Sequence, residues 1–219
     1  MLAFDSILQG AWETVLNPLL PAALQRDLVL ASSSPRRAEI LAMLGFEFEI
    51  VVATVCEDVP AGADPPRHAC ALALRKASAA AASRPHGLCI GADTIVVVDG
   101  EILNKPGSAT EALAMHRRLR DRWHRVYTGI ALYDAESGRH DQASACTEVR
   151  FENWDDPVLE RYVATGEGDD KAGAYAIQGI GAMLVREIRG CYFNVMGFPV
   201  TCFLELLRAA RGRAVRDAG

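Results

Sequence analysis

Leu88 to Val98 reads as a buried strand, interrupted only by Gly91-Ala-Asp-Thr94, and it runs into Asp99-Gly100 followed by Glu101-Ile-Leu-Asn104. Asp-Gly between apolar runs marks a tight antiparallel hairpin. A second hairpin follows in Val126 to Tyr133, a turn around Ser137-Gly138, and Ala143 to Phe151. Purely parallel, doubly wound sheets are thereby excluded. Helical patterns lie between these strands: Ala69 to Ala82, Ser108 with its Glu111 capping box through Arg120, Pro157 to Ala164, and Val200 to about Arg208. The chain therefore reads as an α/β fold around a mixed, largely antiparallel sheet flanked by helices. Phe46 to Val52 alternates like a further strand, and Met183 to Ile188 supplies another.

The strand at Leu88 also carries the first chemical signal. An acid inside an apolar run is costly to bury unless it is paired, bound to metal, or exposed at a bulge. Gly91, two residues before Asp93, marks either a bulge or a close approach of backbone, which would let Asp93 reach a cleft as general base or metal ligand. The competing reading is a strand-end Asp that caps a turn.

A second signal lies in Asp27-Leu-Val-Leu-Ala-Ser-Ser-Ser-Pro-Arg-Arg37. An apolar strand meets three serines, with Ser34 able to cap a helix and Pro35 suited to its first turn. Hydroxyls, free N–H groups and two guanidinium forks then converge on the positive end of a helix dipole, a corner suited to an anion such as a polyphosphate. An ordinary capped helix with solvated arginines is the alternative. Glu57 and Asp58, in the loop after the second strand, are candidate metal ligands, although taken singly they, like Lys76 and Lys105-Pro106, read as solvated surface charges. In Gly166 to Gly179, small residues allow close approach to a flat ligand. Gln178 there can present a donor and an acceptor side by side to a nucleobase edge. Gly179-Ile-Gly181 begins a dinucleotide fingerprint, but Leu184 stands at the third glycine position and a strand follows, so that reading fails.

The 219 residues suit one large domain or two tightly associated lobes, and a net charge of −5 argues against a nucleic-acid partner. The six cysteines show no metal-ligand or disulfide spacing, which suits a reducing cytoplasm. The five histidines, without ligand spacing, read as surface residues. Met1 to Gln25 lacks a basic start, carries Asp5 and Glu13, and is broken by Pro18 and Pro21. It is read as neither a signal nor a membrane span but as a short helical extension. The expected organisation is an extension over 1–26, one catalytic domain over 27–208, and a flexible tail over 209–219.

Taken in order, Ala31-Ser-Ser-Ser-Pro-Arg-Arg37, Glu57, Arg75-Lys-Ala77, Gly91-Ala-Asp-Thr94, Lys105-Pro106, Tyr127-Thr-Gly129, Asp170-Lys-Ala-Gly-Ala-Tyr-Ala-Ile-Gln-Gly179 and Asn194-Val-Met-Gly-Phe-Pro199 resemble the Maf family of nucleotide pyrophosphatases. The resemblance implies an inosine-triphosphatase-like fold with a cleft between two lobes, and a nucleotide substrate. It implies hydrolysis of nucleoside triphosphates to the monophosphate and pyrophosphate, with a divalent cation, magnesium or manganese. By that resemblance Asp93 is the proton acceptor, and Arg36, Thr94 and Gln178 fall on positions linked to base choice. Those three look like the dTTP/UTP branch; the branch resembling 7-methyl-GTP pyrophosphatases is the alternative. A nucleotide-binding regulator of septum formation or cell division is another. On this expectation Ser32, Ser34, Arg36, Arg37, Lys76 and Lys105 surround the phosphates, and Glu57 with Asp93 holds the metal. Cys56 stands where many relatives carry a second acid. A homodimer is compatible with the family pattern.

Overall fold

The computed structural model describes residues 17–52, 54–58 and 62–217, with side chains as far as 212. Most of the expected N-terminal extension lies outside the described residues. Its end is tied down by Gln25, whose buried carboxamide donates to the carbonyls of Asn17 and Leu20 and accepts from the Asn17 N–H.

Strand β1 (Leu28–Leu30) leads to helix α1 (Pro35–Met43), strand β2 (Glu49–Ile50) and helix α2 (Pro65–Ala81). Strand β3 (Leu88–Val98) turns into β4 (Glu101–Leu103), followed by α3 (Ala109–Leu119), β5 (Trp123–Asp134), β6 (His140–Phe151) and α4 (Asp156–Val163). Two 3-10 segments, Ala172–Ala174 and Gly179–Leu184, precede β7 (Val185–Arg189), α5 (Tyr192–Val195) and α6 (Val200–Asp217). No helix among the described residues is long and apolar enough to cross a membrane.

The strands form one seven-stranded sheet in the order β2-β1-β3-β5-β6-β7, with β4 also on β3. β1 runs parallel to β2 and β3, and the remaining pairs are antiparallel. Asp99 and Gly100 both adopt positive φ (55° and 81°), the geometry that a two-residue hairpin requires.

Alternation along β3 splits its side chains between two faces. Cys89 meets an alanine stripe of α2 (Ala73, Ala77, Ala80, Ala81) on one face. Leu88 and Ile90 pack on the other with Ile40 and Leu41 of α1 and Phe203 and Leu207 of α6. Further along that face, Val96 and Val98 pack with Met115 and Leu119 of α3 and Leu159 of α4. Two apolar lobes thus share one sheet.

The stripe of alanines matters because it brings backbone onto backbone. A Cβ added to Gly91 would lie 2.0 Å from the Ala73 carbonyl oxygen, and one added to Gly129 would lie 2.3 Å from the Ala69 carbonyl carbon. Gly91 therefore serves close approach. It does not form a bulge, since β3 keeps an unbroken register with β5 from Leu88↔Asp134 to Val97↔Arg125.

Several local expectations shift. Only Glu49 and Ile50 of the Phe46–Val52 alternation form strand, and both are exposed. Phe46 instead enters the core, edge-on to Phe203 at 5.3 Å between ring centroids. Met183 belongs to the 3-10 segment rather than to the following strand. α6 continues past Arg208 to Asp217, and Arg211 donates to the Arg26 carbonyl. Nor are the histidines all superficial: His86 and His140 are exposed, whereas His68, His116 and His124 are buried. His116 donates from Nε2 to the Ala174 carbonyl (2.7 Å), and His124 pairs with the Tyr175 hydroxyl (2.7 Å). Burial depresses the pKa of both, that of His124 to about 3.

Candidate active site

β1 and β4 lie along the same edge of β3, and neither is long enough to meet the other. β1 covers Leu28↔Leu88 to Leu30↔Ile90, while β4 covers Val96↔Leu103 to Val98↔Glu101. Apart from one further bond, from the Ala31 N–H to the Ile90 carbonyl, the edge from Gly91 to Ile95 has no strand beside it. A side chain from either face can turn into that gap. Asp93, on the α2 face, and Thr94, on the opposite face, both do so, and both line one cavity of about 280 Å³.

The loop from β1 into α1 brings Ser32, Ser34, Arg36 and Arg37 to this cavity, and α2 brings Lys76. Glu57 comes from the loop before α2, Lys105 from the loop after β4, and Gln178 from the end of the Gly-rich stretch. These residues singled out from the sequence therefore reach the same space, whereas Asp58 does not line it and accepts from the Cys56 thiol instead (3.0 Å). Lys171 and Asp170 join them. They went unassigned because an Asp-Lys pair in a Gly-rich stretch looks like any solvated turn, and only folding brings it opposite Arg36.

Five cationic side chains (Arg36, Arg37, Lys76, Lys105, Lys171) thus face three carboxylates (Glu57, Asp93, Asp170). The chain as a whole carries −5, so the positive balance here is local and focused by the cavity walls. Lys76 is the hinge of the arrangement. Its Nζ lies 2.6 Å from Asp93 Oδ1 and 2.5 Å from Glu57 Oε1, and its side chain is only 12% exposed. Lys105 approaches the other Glu57 oxygen at 3.4 Å. Burial alone would raise the Glu57 pKa. The Lys76 hydrogen bond and charge, with Lys105, outweigh it and hold Glu57 below the usual carboxylate range. Among the described residues, Asp93 Oδ2 has no hydrogen-bond partner.

Arg37 is held on three sides. Nε donates to the Gly197 carbonyl (2.9 Å), Nη1 to Ser32 Oγ (3.2 Å) and Nη2 to Thr94 Oγ1 (3.3 Å). Burial lowers its pKa and nearby Asp93 opposes that shift, but a guanidinium stays charged. Gly197 (φ 95°) is required beside it, since a Cβ there would sit 3.0 Å from Thr94 Oγ1. Arg36 is less constrained, 3.8 Å from Asp170. The Asp170 carboxyl is pushed up by burial and pulled further down by Lys171 and Arg36.

Hydrogen-bond direction around Thr94 follows by elimination. Thr128 gives its proton to the Asn194 carbonyl (2.8 Å), so Thr94 must give its own to Thr128 (3.0 Å). Arg37 occupies one of the Thr94 lone pairs. Thr94 can then only accept from a ligand. Ser34 sits at the N-cap of α1 but its hydroxyl makes no cap hydrogen bond. That hydroxyl and the helix N-terminus remain directed to one corner of the cavity.

A family model described as Maf-like protein matches residues 27–210. The chain belongs to the Maf family. Among its relatives, the protein named dTTP/UTP pyrophosphatase from Pelotomaculum thermopropionicum is 45% identical over 183 residues, covering 84% of this chain and 96% of that protein. One of the same name from Moorella thermoacetica is 48% identical over 180 residues, covering 82% and 93%. Another, from Syntrophus aciditrophicus, is 43% identical over 185 residues, covering 84% and 90%. The seven-stranded mixed sheet with helices on both faces is the architecture expected of a Maf protein.

Proposed function

We propose that this chain hydrolyses nucleoside triphosphates between the α and β phosphates, with dTTP and UTP as its substrates. One observation carries the reading: Asp93 opens into a cavity lined by Arg36, Arg37, Lys76, Lys105 and Lys171, in a chain whose relatives at 43–48% identity are named dTTP/UTP pyrophosphatase. A triphosphate needs several cations around it, and the departing pyrophosphate needs them more as charge builds on it.

In this reading Asp93 takes the proton of the attacking water. Lys76 holds Oδ1 and leaves Oδ2 for that task. Ser32, Ser34 and the N–H groups at the start of α1 bind phosphate oxygens, with Arg36, Arg37 and Lys105. Thr94 and Gln178 face the base. As an acceptor only, Thr94 suits the N3–H of uracil or thymine and disfavours cytosine, whose N3 is itself an acceptor.

Among the described residues no group of three or more metal-ligating side chains gathers, yet Glu57 and Asp93 converge on one point now held by Lys76. Two carboxylates, completed by phosphate oxygens and water, suit magnesium or manganese, which needs no all-protein cage. Glu57 and Asp93 would hold that ion, and when bound it supplies positive charge to the attacked phosphoryl group. All six cysteines are free, which fits a reducing cytoplasm.

The test is pyrophosphate release across a panel of nucleotides, including 7-methyl-GTP, with the wild type and Asp93→Asn. Asp93→Asn should lose about 100- to 10,000-fold in kcat while still binding nucleotide. Near-normal turnover would remove Asp93 as the base, and release confined to 7-methyl-GTP would overturn the substrate assignment.

A further inference from the structure

Gln178 reaches the cavity from a stretch that belongs to no strand, and among the described residues its carboxamide makes no hydrogen bond within the protein. Its aim is therefore set by its backbone. Four contacts fix that backbone. The Ala174 carbonyl accepts from His116, and the Ala176 N–H donates to the Tyr162 hydroxyl at 3.1 Å. Immediately after Gln178, Ile180 N–H donates to Glu167 Oε1 at 3.0 Å and Gly181 N–H to Glu167 Oε2 at 2.7 Å.

The glycines around Gln178 exist for this arrangement. A Cβ on Gly179 would lie 2.1 Å from Glu167 Oε1. One on Gly181 would meet the Ala176 carbonyl oxygen at 2.3 Å and the Tyr162 hydroxyl at 2.7 Å, and one on Gly168 would meet the Ala174 carbonyl oxygen at 1.9 Å. The Gly-Ile-Gly sequence, which resembles the start of a phosphate-binding loop, does cradle an anion with backbone N–H groups. The anion is the chain's own Glu167. Burial raises the pKa of the Tyr162 phenol and the adjacent Glu167 raises it further, so the hydroxyl keeps its proton.

We infer that Glu167, together with the Tyr162 hydroxyl, is a positioning device for base recognition: it locks the loop that aims Gln178 and touches no substrate itself. This rests on the reading of Gln178 as a base-reading residue under the proposed function. A carboxylate is needed, because only it can accept from both N–H groups; a carboxamide would turn an NH₂ toward one of them.

The experiment compares kcat/KM for UTP and CTP in the wild type, Glu167→Gln, Gln178→Ala and the double variant, with Tm measured for each. Glu167→Gln should lower the UTP/CTP ratio about tenfold, as misaim of a positioning group does. In the Gln178→Ala background it should lower that ratio no further, because the two act in series. If Glu167→Gln reduces both rates in proportion and keeps the ratio, while Gln178→Ala changes it, Glu167 is merely structural and the inference falls. If Gln178→Ala leaves the ratio unchanged, the reading of Gln178 fails and takes this inference with it. Should Glu167→Gln not fold, Tyr162→Phe decides: a narrowed ratio supports the device, and an unchanged one overturns it.

Discussion

Gly91 shows how one missing side chain shapes this site. Its hydrogen lets the α2 backbone rest on β3, with Ala73 oxygen and Ala77 nitrogen 2.0 and 2.8 Å from where a Cβ would sit. Lys76 lies on the same turn of α2, and that depth is what brings its ammonium to Asp93 and Glu57. Gly91→Ala should therefore cost about 3 kcal/mol in unfolding free energy, at the upper end for overpacking, and reduce turnover as Lys76 is lifted away. Urea titration and pyrophosphate release check both; a variant within about 0.5 kcal/mol of wild type would mean that the helix does not rest on the strand. From the sequence, Gly91 permitted either a bulge or a close approach. The choice depended on the alanine stripe opposite, Ala73 to Ala81, which lies upstream in another element.

Two helix starts, similar on the page of the sequence, differ in what their serines do. Ser108 caps α3 by accepting from the Glu111 N–H at 3.2 Å, and Glu111 reaches back to the Gly107 N–H at 2.7 Å. Ser34 precedes α1 in the same way but makes no cap hydrogen bond, and its N–H donates to Ser32 Oγ at 3.1 Å. Ser108→Ala should thus lose about 1 kcal/mol of stability without affecting KM, whereas Ser34→Ala should lose less than about half of that and raise KM for the nucleotide. Denaturant titrations paired with steady-state kinetics would separate the two; equal losses of stability would show that Ser34 caps after all. At this scale the sequence was most legible where periodicity and turn chemistry agree, as in Leu88–Val98 with Asp99-Gly100. It was least legible where an alternating run packs without pairing, as Phe46 does against Phe203. The gap between β1 and β4 could not be read at all, because it depends on how far two short strands extend along a third.

Across the molecule, the two lobes should differ in their sensitivity to acid. His116 and His124 both belong to the lobe built on α3 and α4, His116 tilted against Phe151 and Tyr162 and His124 edge-on to Phe151 and Tyr175. Their burial was detectable in principle: His116 shares a helical face with Ala112 and Leu119, and His124 shares a strand face with Val126 and Thr128, alternating with Arg125 and Tyr127. Metal-ligand spacing does not reveal such patterns, which rest on burial periodicity. Each imidazole is buried neutral, and burial holds the pKa of His124 near 3. The unfolded chain, with an ordinary histidine pKa of about 6.5, takes up a proton first as pH falls. Stability is therefore complete above about pH 6.5 and is lost progressively toward pH 3, by up to about 5 kcal/mol for His124 alone. Glu57 and Asp170, held low in the fold, add their losses only below the ordinary carboxylate range, so the histidine window opens first. Urea unfolding at pH 7 and pH 5 should differ by about 2 kcal/mol from His124. His124→Gln, which keeps a polar group near Tyr175 but cannot titrate, should flatten that slope. An unaltered slope in the variant would place the acid sensitivity elsewhere and remove the α3–α4 lobe as the first part of the enzyme to yield.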